Sequence, residues 1–277
     1  KITLEIVVKS LTGYAKELRQ TAKLVAKSGL KLDDVAVCPV GDLKSVLPGS
    51  KRPPAPPLAN LYRAARLAFP GAKVGGGMFS FFTELNRKRP PAKQMDFAMN
   101  ATCPIVHAAD DRSVMETLEA LPYQISTAKK FLGKTSHMIG PTAIGCRDNP
   151  HGASFTPNPK NERLCLVKAD PRTRGLFGAA WLVGYIGTLA HADVQSLTIG
   201  SATGPLGVIH RRYGGIQPYF NKLNTHAVYP AYHVATSFMN SVGRSIIAIE
   251  NADSQRVYAF GVIDKAGKCT IWLANLT

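Results

Sequence analysis

Acidic residues are scarce. The 277-residue chain has 18 Asp and Glu against 34 Lys and Arg, a formal net charge of +16. Such an excess suits nucleic acid, an anionic membrane surface or an acidic small molecule. The basic residues are spread along the chain, with local clusters only at Arg87 to Arg89 and at Arg211-Arg212. No zinc-finger spacing and no RNA-recognition signature accompanies them, which argues against nucleic acid. A generally basic surface, or an anionic small-molecule substrate, is left. Cysteine is scarce too. Cys38, Cys103, Cys146, Cys165 and Cys269 are odd in number, far apart in sequence and never in a C-x-x-C pair. That excludes a zinc signature and suits reduced thiols in a cytoplasmic protein. No metal and no cofactor is expected. Cys38 and Cys103 each precede a proline near a strand end, where they line a pocket or act as small buried hydrophobes.

Apolar runs long enough to cross a bilayer are absent as well. The most apolar segment, within Arg172 to Ala190, falls short of a bilayer span and contains Gly178 and Gly184. It reads as a buried helix, and no membrane partner is expected. The sequence begins at Lys1 rather than Met, and no signal peptide is expected. The chain opens directly on strand-like Ile2 to Val8 and closes on strand-like Ile271 to Thr277. The expectation is a fragment of a longer protein, with Ile2 to Val8 at an exposed sheet edge. No short internal repeat is evident. A glycine-rich nucleotide turn is missing after the first strand, where Ser10-Leu11-Thr12-Gly13 stands.

Hydrophobic residues at 45% and charged residues at 19% fit a folded globule. After the first strand, Leu11, Tyr14, Ala15, Leu18, Ala22 and Val25 recur at helical spacing. Strand-like Val35 to Cys38, a helix around Leu58 to Phe69, and strand-like Met95 to Met99 follow. Ser113 and Glu116 form a capping-box pattern, and Asp110 and Asp111 suit a helix N-terminus. Lys134 to Ile139 reads as a strand, Gly140 to Lys168 as a long irregular stretch. Asp170-Pro171 is a helix start. Val194 to Ile199 is a strand, followed by a glycine-rich loop through Tyr213-Gly214-Gly215, and Pro230 to Val242 is a helix. Ser245 to Glu250, Val257 to Asp264 and Cys269 to Asn275 close the chain as strands alone.

Strand and helix thus alternate about six times, which implies a parallel sheet with helices outside. The predicted fold is α/β, a (β/α)8 TIM barrel incomplete at its N-terminus. It spans residues 1–244, and residues 245–277 form the first strands of a C-terminal β-domain. An open doubly wound sheet is the alternative.

Gly75-Gly76-Gly77-Met78-Phe79-Ser80-Phe81-Phe82-Thr83-Glu84-Leu85-Asn86-Arg87 is the most informative stretch. Glycines at a strand end allow close backbone approach or a sharp turn. A barrel works at the C-terminal ends of its strands. Glu84, Asn86 and Arg87 follow one strand there, and Asn100, Thr102, Cys103 and His107 the next. Arg147, Asp148, Asn149 and His151 follow another, and Ser201, Thr203 and His210 the last. A carboxylate, neutral hydrogen-bonders and cations together suit a polyhydroxylated, anionic small molecule. Arg147-Asp148-Asn149-Pro150 also fits a turn satisfied by its own side chains.

Four segments resemble the D-apionate lactonase family. They are Gly75 to Pro91, Thr102 to Asp111, Ile139 to Pro150 and Trp272 to Thr277. The resemblance covers most of the chain, most clearly from about residue 70 onward. It implies a glycoside-hydrolase-like TIM barrel flanked by β-rich domains. It also implies opening of a branched sugar-acid lactone in bacterial carbohydrate catabolism. In that family a glutamate stands just before the Thr-Gly after the last barrel strand; here Ser201 takes its place in Gly200-Ser201-Ala202-Thr203-Gly204. A retaining glycosidase needs two facing carboxylates, and only Glu84 is supplied at these positions. Glycoside hydrolysis with a second carboxylate such as Asp148, and a carbohydrate-binding barrel without catalysis, remain as alternatives. For the lactonase, Glu84 is the expected general base, with His107 as its rival. Asn86, Arg87, Asn100, Arg147, Asn149, Ser201 and Thr203 are expected to contact substrate. Glu84, Asn86, His107 and Arg147 are expected in one pocket, with Ser201 on its wall.

Overall fold

The computed structural model describes residues 1–212, 216–251 and 253–277. The glycine-rich loop at Tyr213-Gly214-Gly215 lies outside the described residues. Six strands form one parallel sheet in the order β1-β2-β3-β4-β5-β6. They are β1 (Thr3–Val8), β2 (Asp34–Pro39), β3 (Lys73–Phe81), β4 (Phe97–Thr102), β5 (Ser136–Thr142) and β6 (Ser196–Ile199). A helix follows each: α1 (Tyr14–Ser28), α2 (Leu58–Ala68), α3 (Phe82–Lys88), α4 (Asp111–Leu132), α5 (Leu176–Ala190) and α6 (Pro230–Met239). Consecutive strands being neighbours is the order of a barrel, not of a doubly wound sheet. β1 is an edge strand, as expected, and β6 is the other edge.

The sheet curls. Val7, Ala36, Cys38, Phe79, Phe97, Met99 and Met138, from five strands, pack into one cluster on its inner face. The two edges face each other across a cavity of about 290 Å³ lined by Thr3, Glu5, Met138, Pro141, Ser196 and Thr198, among others. On the outer face, Val8, Val35, Val37, Val74 and Ala98 meet helix residues Leu18, Leu61, Tyr62 and Ala65.

The three glycines lie inside β3 rather than at its end. Gly75 is register partner to Phe97 on β4. A Cβ there would meet ring atoms of Phe97 at 2.3, 2.4 and 2.5 Å. Glycine makes room for an aromatic ring inside the curl. Gly75→Ala is therefore expected to destabilise by roughly 1–3 kcal/mol through overpacking. A urea midpoint unchanged from the parent would contradict this packing.

Local signals shifted where a stronger partner stood nearby. Asp110, not Ser113, caps α4: its side chain accepts from Ser113 N–H, while Glu116 pairs with Arg112. Asp170 caps as expected, accepting from Arg172 N–H. The helix after it is interrupted, however: Pro171–Arg174 forms a single 3-10 turn, and α5 begins afresh at Leu176.

α5 is apolar on every face, which is the pattern of a buried helix. One side packs on α4 and the parallel sheet through Trp181, Leu182, Tyr185 and Leu189. Its Val183 meets Phe260, Val262, Trp272 and Ala274. Those four belong to a second sheet, β7 (Ser245–Ile247), β8 (Val257–Ile263) and β9 (Cys269–Asn275), paired antiparallel in chain order. Phe238 of α6 stacks on Trp272 at 4.2 Å, and the Trp272 indole donates to Ser237 Oγ at 3.0 Å. Among the described residues no helix is long and apolar enough to cross a membrane.

Candidate active site

α3 follows β3 without a loop, and this decides which of its side chains face inward. Residues two apart on a helix lie on opposite sides, whereas residues three apart share a side. Glu84 is buried and Arg87 lies beside it, with Arg87 Nη1 2.8 Å from Glu84 Oε1. Asn86 points elsewhere and accepts from Arg89 Nη2 at 3.2 Å. The structure thus separates Asn86 from Glu84.

Glu84 is 2% exposed and fully engaged. Oε1 accepts from Ser45 Oγ at 2.9 Å, Val46 N–H at 3.0 Å and Arg87; Oε2 accepts from Arg52 at 3.2 Å. Desolvation works to raise its pKa. The Val46 N–H, Arg87, Ser45 and Arg52 outweigh it, and the carboxyl sits below its ordinary value. A carboxylate saturated with donors and held ionised is a weak proton acceptor. The geometry gives Glu84 an anchoring task instead of the expected basic one: it ties the loop after β2 to α3. Glu84→Gln is expected to cost about 1–3 kcal/mol, moderated because both arginines are partly in solvent. Its folded pKa being depressed, the native advantage is complete above the unfolded value of about 4.3. That advantage disappears as pH falls through the folded value. Denaturation midpoints of the two proteins at pH 7 and pH 3 check this; coincidence at pH 7 would remove the anchoring role.

A groove of about 470 Å³ opens beside α3. Glu84 and Arg87 line it together with Cys103 and His107 from the β4–α4 loop and His151 from the β5–α5 loop. The His107 and His151 rings lie 5.6 Å apart between centroids, inclined by 43°. Both residues are exposed, and no hydrogen bond to either ring occurs among the described residues. Among the described residues, Nη1 alone of the Arg87 guanidinium is engaged, by Glu84, Ser45 Oγ and Val46 O. Nε and Nη2 remain as donors. A larger groove, about 960 Å³, runs between α4 and the end of β9. Neither Glu84, Arg87, His107 nor His151 lines it.

The loops carrying the two histidines are fastened to each other. Ile105 is buried, and its carbonyl accepts from Leu166 N–H at 2.9 Å. Arg172, buried, donates to Ala109 O at 2.9 Å, to Asp111 at 3.0 Å and to both oxygens of buried Asp170. Asn149 Oδ1 accepts from His151 N–H at 2.9 Å and Gly152 N–H at 3.1 Å, and its Nδ2 donates to Ser154 O. Asn149 shapes the turn that presents His151, as the alternative reading of that segment allowed.

The other expected residues lie apart. Asn100 alternates with inward-facing Phe97 and Met99, so it faces the helices. There it bonds His137 Nε2 at 2.8 Å, and burial pushes that histidine down to about 4. Arg147 crosses the inner face to pair with Glu5 on β1, its guanidinium 5.8 Å from the Phe79 ring. Ser201 donates to Thr203 O at 2.8 Å in a tight exposed loop after β6. Neither Arg147, Ser201 nor Thr203 lines the groove with His107. Cys38 is a buried hydrophobe of the inner cluster, its thiol pushed up to about 12 by burial. Cys103 and Cys146, distant in sequence, bring their sulfurs to 3.1 Å, and burial raises the Cys103 thiol as well. Among the described residues no three metal-ligating side chains converge.

Known proteins share this chain's pattern. A D-apionate lactonase of Brucella anthropi is 40% identical over 230 residues, covering 81% of this chain and 38% of that protein. The chain therefore spans about two fifths of that relative's length. Among solved structures, a GH30 endoxylanase from Clostridium papyrosolvens C71 superposes with a TM-score of 0.49 at 10% identity, covering 96% of this chain and 56% of that one. A β-D-glucuronidase of Dictyoglomus thermophilum gives 0.48 at 13% identity, over 83% of this chain and 35% of that one. The model of the D-apionate lactonase TIM-barrel domain matches residues 1–243, and the chain belongs to that family.

Proposed function

We propose that this chain carries the catalytic groove of an enzyme that hydrolyses a sugar-acid lactone of the D-apionolactone kind. The observation that carries the reading is the groove at the strand ends, where two solvent-open imidazoles meet a half-free guanidinium. The name of the Brucella anthropi relative, D-apionate lactonase, supports the substrate class. Lactone opening needs a base for the attacking water and donors for the developing oxyanion. His107 is the base, because its ring is open to the groove while Glu84 is engaged by four donors. Arg87 Nε and Nη2 serve the carbonyl and then the product carboxylate. Asn149 acts on substrate only through the turn it shapes at His151. Residues 1–244 form the catalytic unit and residues 245–277 the start of a β-domain. Five free thiols suit a cytoplasmic setting.

The test is a pH-stat assay of the full-length protein against a panel of aldonolactones, with aryl glycosides in parallel. Acid release from a branched aldonolactone, with glycosides untouched, is the expected result. Glycoside cleavage would replace this reading by the glycosidase one. Binding of the lactone without acid release would leave a carbohydrate-binding barrel.

A further inference from the structure

We propose that His151 is a second catalytic histidine, the proton donor to the departing ring oxygen, working opposite His107 in the same groove. The assignment rests on the lactone-hydrolysis reading. Its ground is the way the two rings are held. Each belongs to a loop whose backbone is fixed and whose imidazole is not. The backbone of His151 is held by Asn149 Oδ1, and Pro150 O accepts from Ser45 N–H at 2.7 Å. The His107 loop is pinned at Ile105 and Ala109. The buried histidines differ: His137 is bonded to Asn100, and His210 Nδ1 to the Tyr229 hydroxyl at 3.2 Å. A ring fixed at its backbone with both nitrogens open is placed to act on a ligand.

Hydrolysis of a lactone moves two protons. The attacking water loses one as its oxygen bonds to the acyl carbon. The ring oxygen gains one as the acyl C–O bond breaks and its electron pair stays on that oxygen. His107 takes the first proton, and an imidazolium at His151 gives the second. The proton left on His107 returns to His151 through a water between the rings, which restores the pair. The net change is lactone plus water to hydroxy acid. Histidine is the side chain suited to both roles near neutral pH. The charged or titratable groups facing the pair are Glu84 and Arg87 from α3 and Cys103 from the β4–α4 loop. Glu84 stays ionised through its donors, and Cys103 stays a thiol through burial. The two imidazoles are left to exchange protons with substrate.

The test compares pH profiles of kcat/KM on an aldonolactone for the full-length protein and its His151→Gln and His151→Ala variants. The parent is expected to give a bell. His151→Gln is expected to lose roughly 10²-fold or more in rate, the usual size of an acid–base contribution. The alkaline limb, which reports loss of the acid's proton, is expected to vanish with it. Added imidazole is expected to restore part of the rate to His151→Ala, which a merely structural role would not allow. An unchanged bell in His151→Gln, or a loss that imidazole does not relieve, overturns the assignment while leaving lactone hydrolysis in place. So does activity abolished by a chelator and restored by a divalent cation, since the rings would then be ligands. No hydrolysis by the parent protein overturns the lactone reading and this assignment together.

Discussion

His107→Gln is expected to lower lactone turnover by about 10²–10⁴-fold, the contribution of a positioned general base. The melting temperature is expected to stay close to that of the parent. His107 is exposed and makes no hydrogen bond among the described residues. Surface changes of that kind fall within about ±0.5 kcal/mol. The contrast with Glu84 is what gives the experiment its force. Glu84→Gln is expected to weaken the fold and to lower turnover far less, through the Arg87 it holds; His107→Gln is expected to do the reverse. Circular dichroism melts beside single-turnover rates measure both. Full activity in folded His107→Gln would hand the base back to Glu84, despite its donors.

The alternation of strand and helix, and its replacement by strands alone near residue 244, was legible in the sequence. So were Asp170 as a cap and the burial of α5, because these depend on neighbours a few residues away. The contents of the groove were only partly legible. The sequence placed Glu84, Asn86 and Arg87 together after a strand. Only the helix beginning at Phe82 separates Asn86 from the other two. The partners that occupy the Glu84 carboxylate, Ser45, Val46 and Arg52, lie 32 to 39 residues earlier. No local pattern announces them. Arg147 reads like a substrate cation until its partner Glu5, 142 residues away, is seen. His151 stood among the strand-end candidates, but nothing in the sequence set it beside His107. Asn149 did carry a signal, its place in Asp148-Asn149-Pro150, and that signal spoke for a turn.

Asp170→Ala is expected to be the most damaging single change to the fold. Asp170 is fully buried, and Arg172 beside it is nearly so. Arg172 Nη2 lies 2.7 Å from Asp170 Oδ2, and Arg172 Nε 2.9 Å from Oδ1. Removing the carboxylate leaves a guanidinium buried with a shortage of countercharge, since Asp111, its other acidic partner, is partly in solvent. Breaking a buried pair in this way costs about 3–5 kcal/mol. For a domain of this size that lowers the melting temperature by roughly 10 °C. The loss should be greater than that of Arg172→Met, which leaves a carboxylate that still caps the turn at Pro171. The double variant Asp170→Ala/Arg172→Met removes both charges and is expected to regain much of the stability lost in Asp170→Ala. Arg172 also fixes Ala109, two residues beyond His107, so both Arg172 variants should lose turnover in addition to stability. Calorimetric melts of the three variants decide the matter. If Asp170→Ala melts within a degree or two of the parent, the pair does not hold the loop that presents His107, and the fixed backbone behind the histidine groove must come from elsewhere.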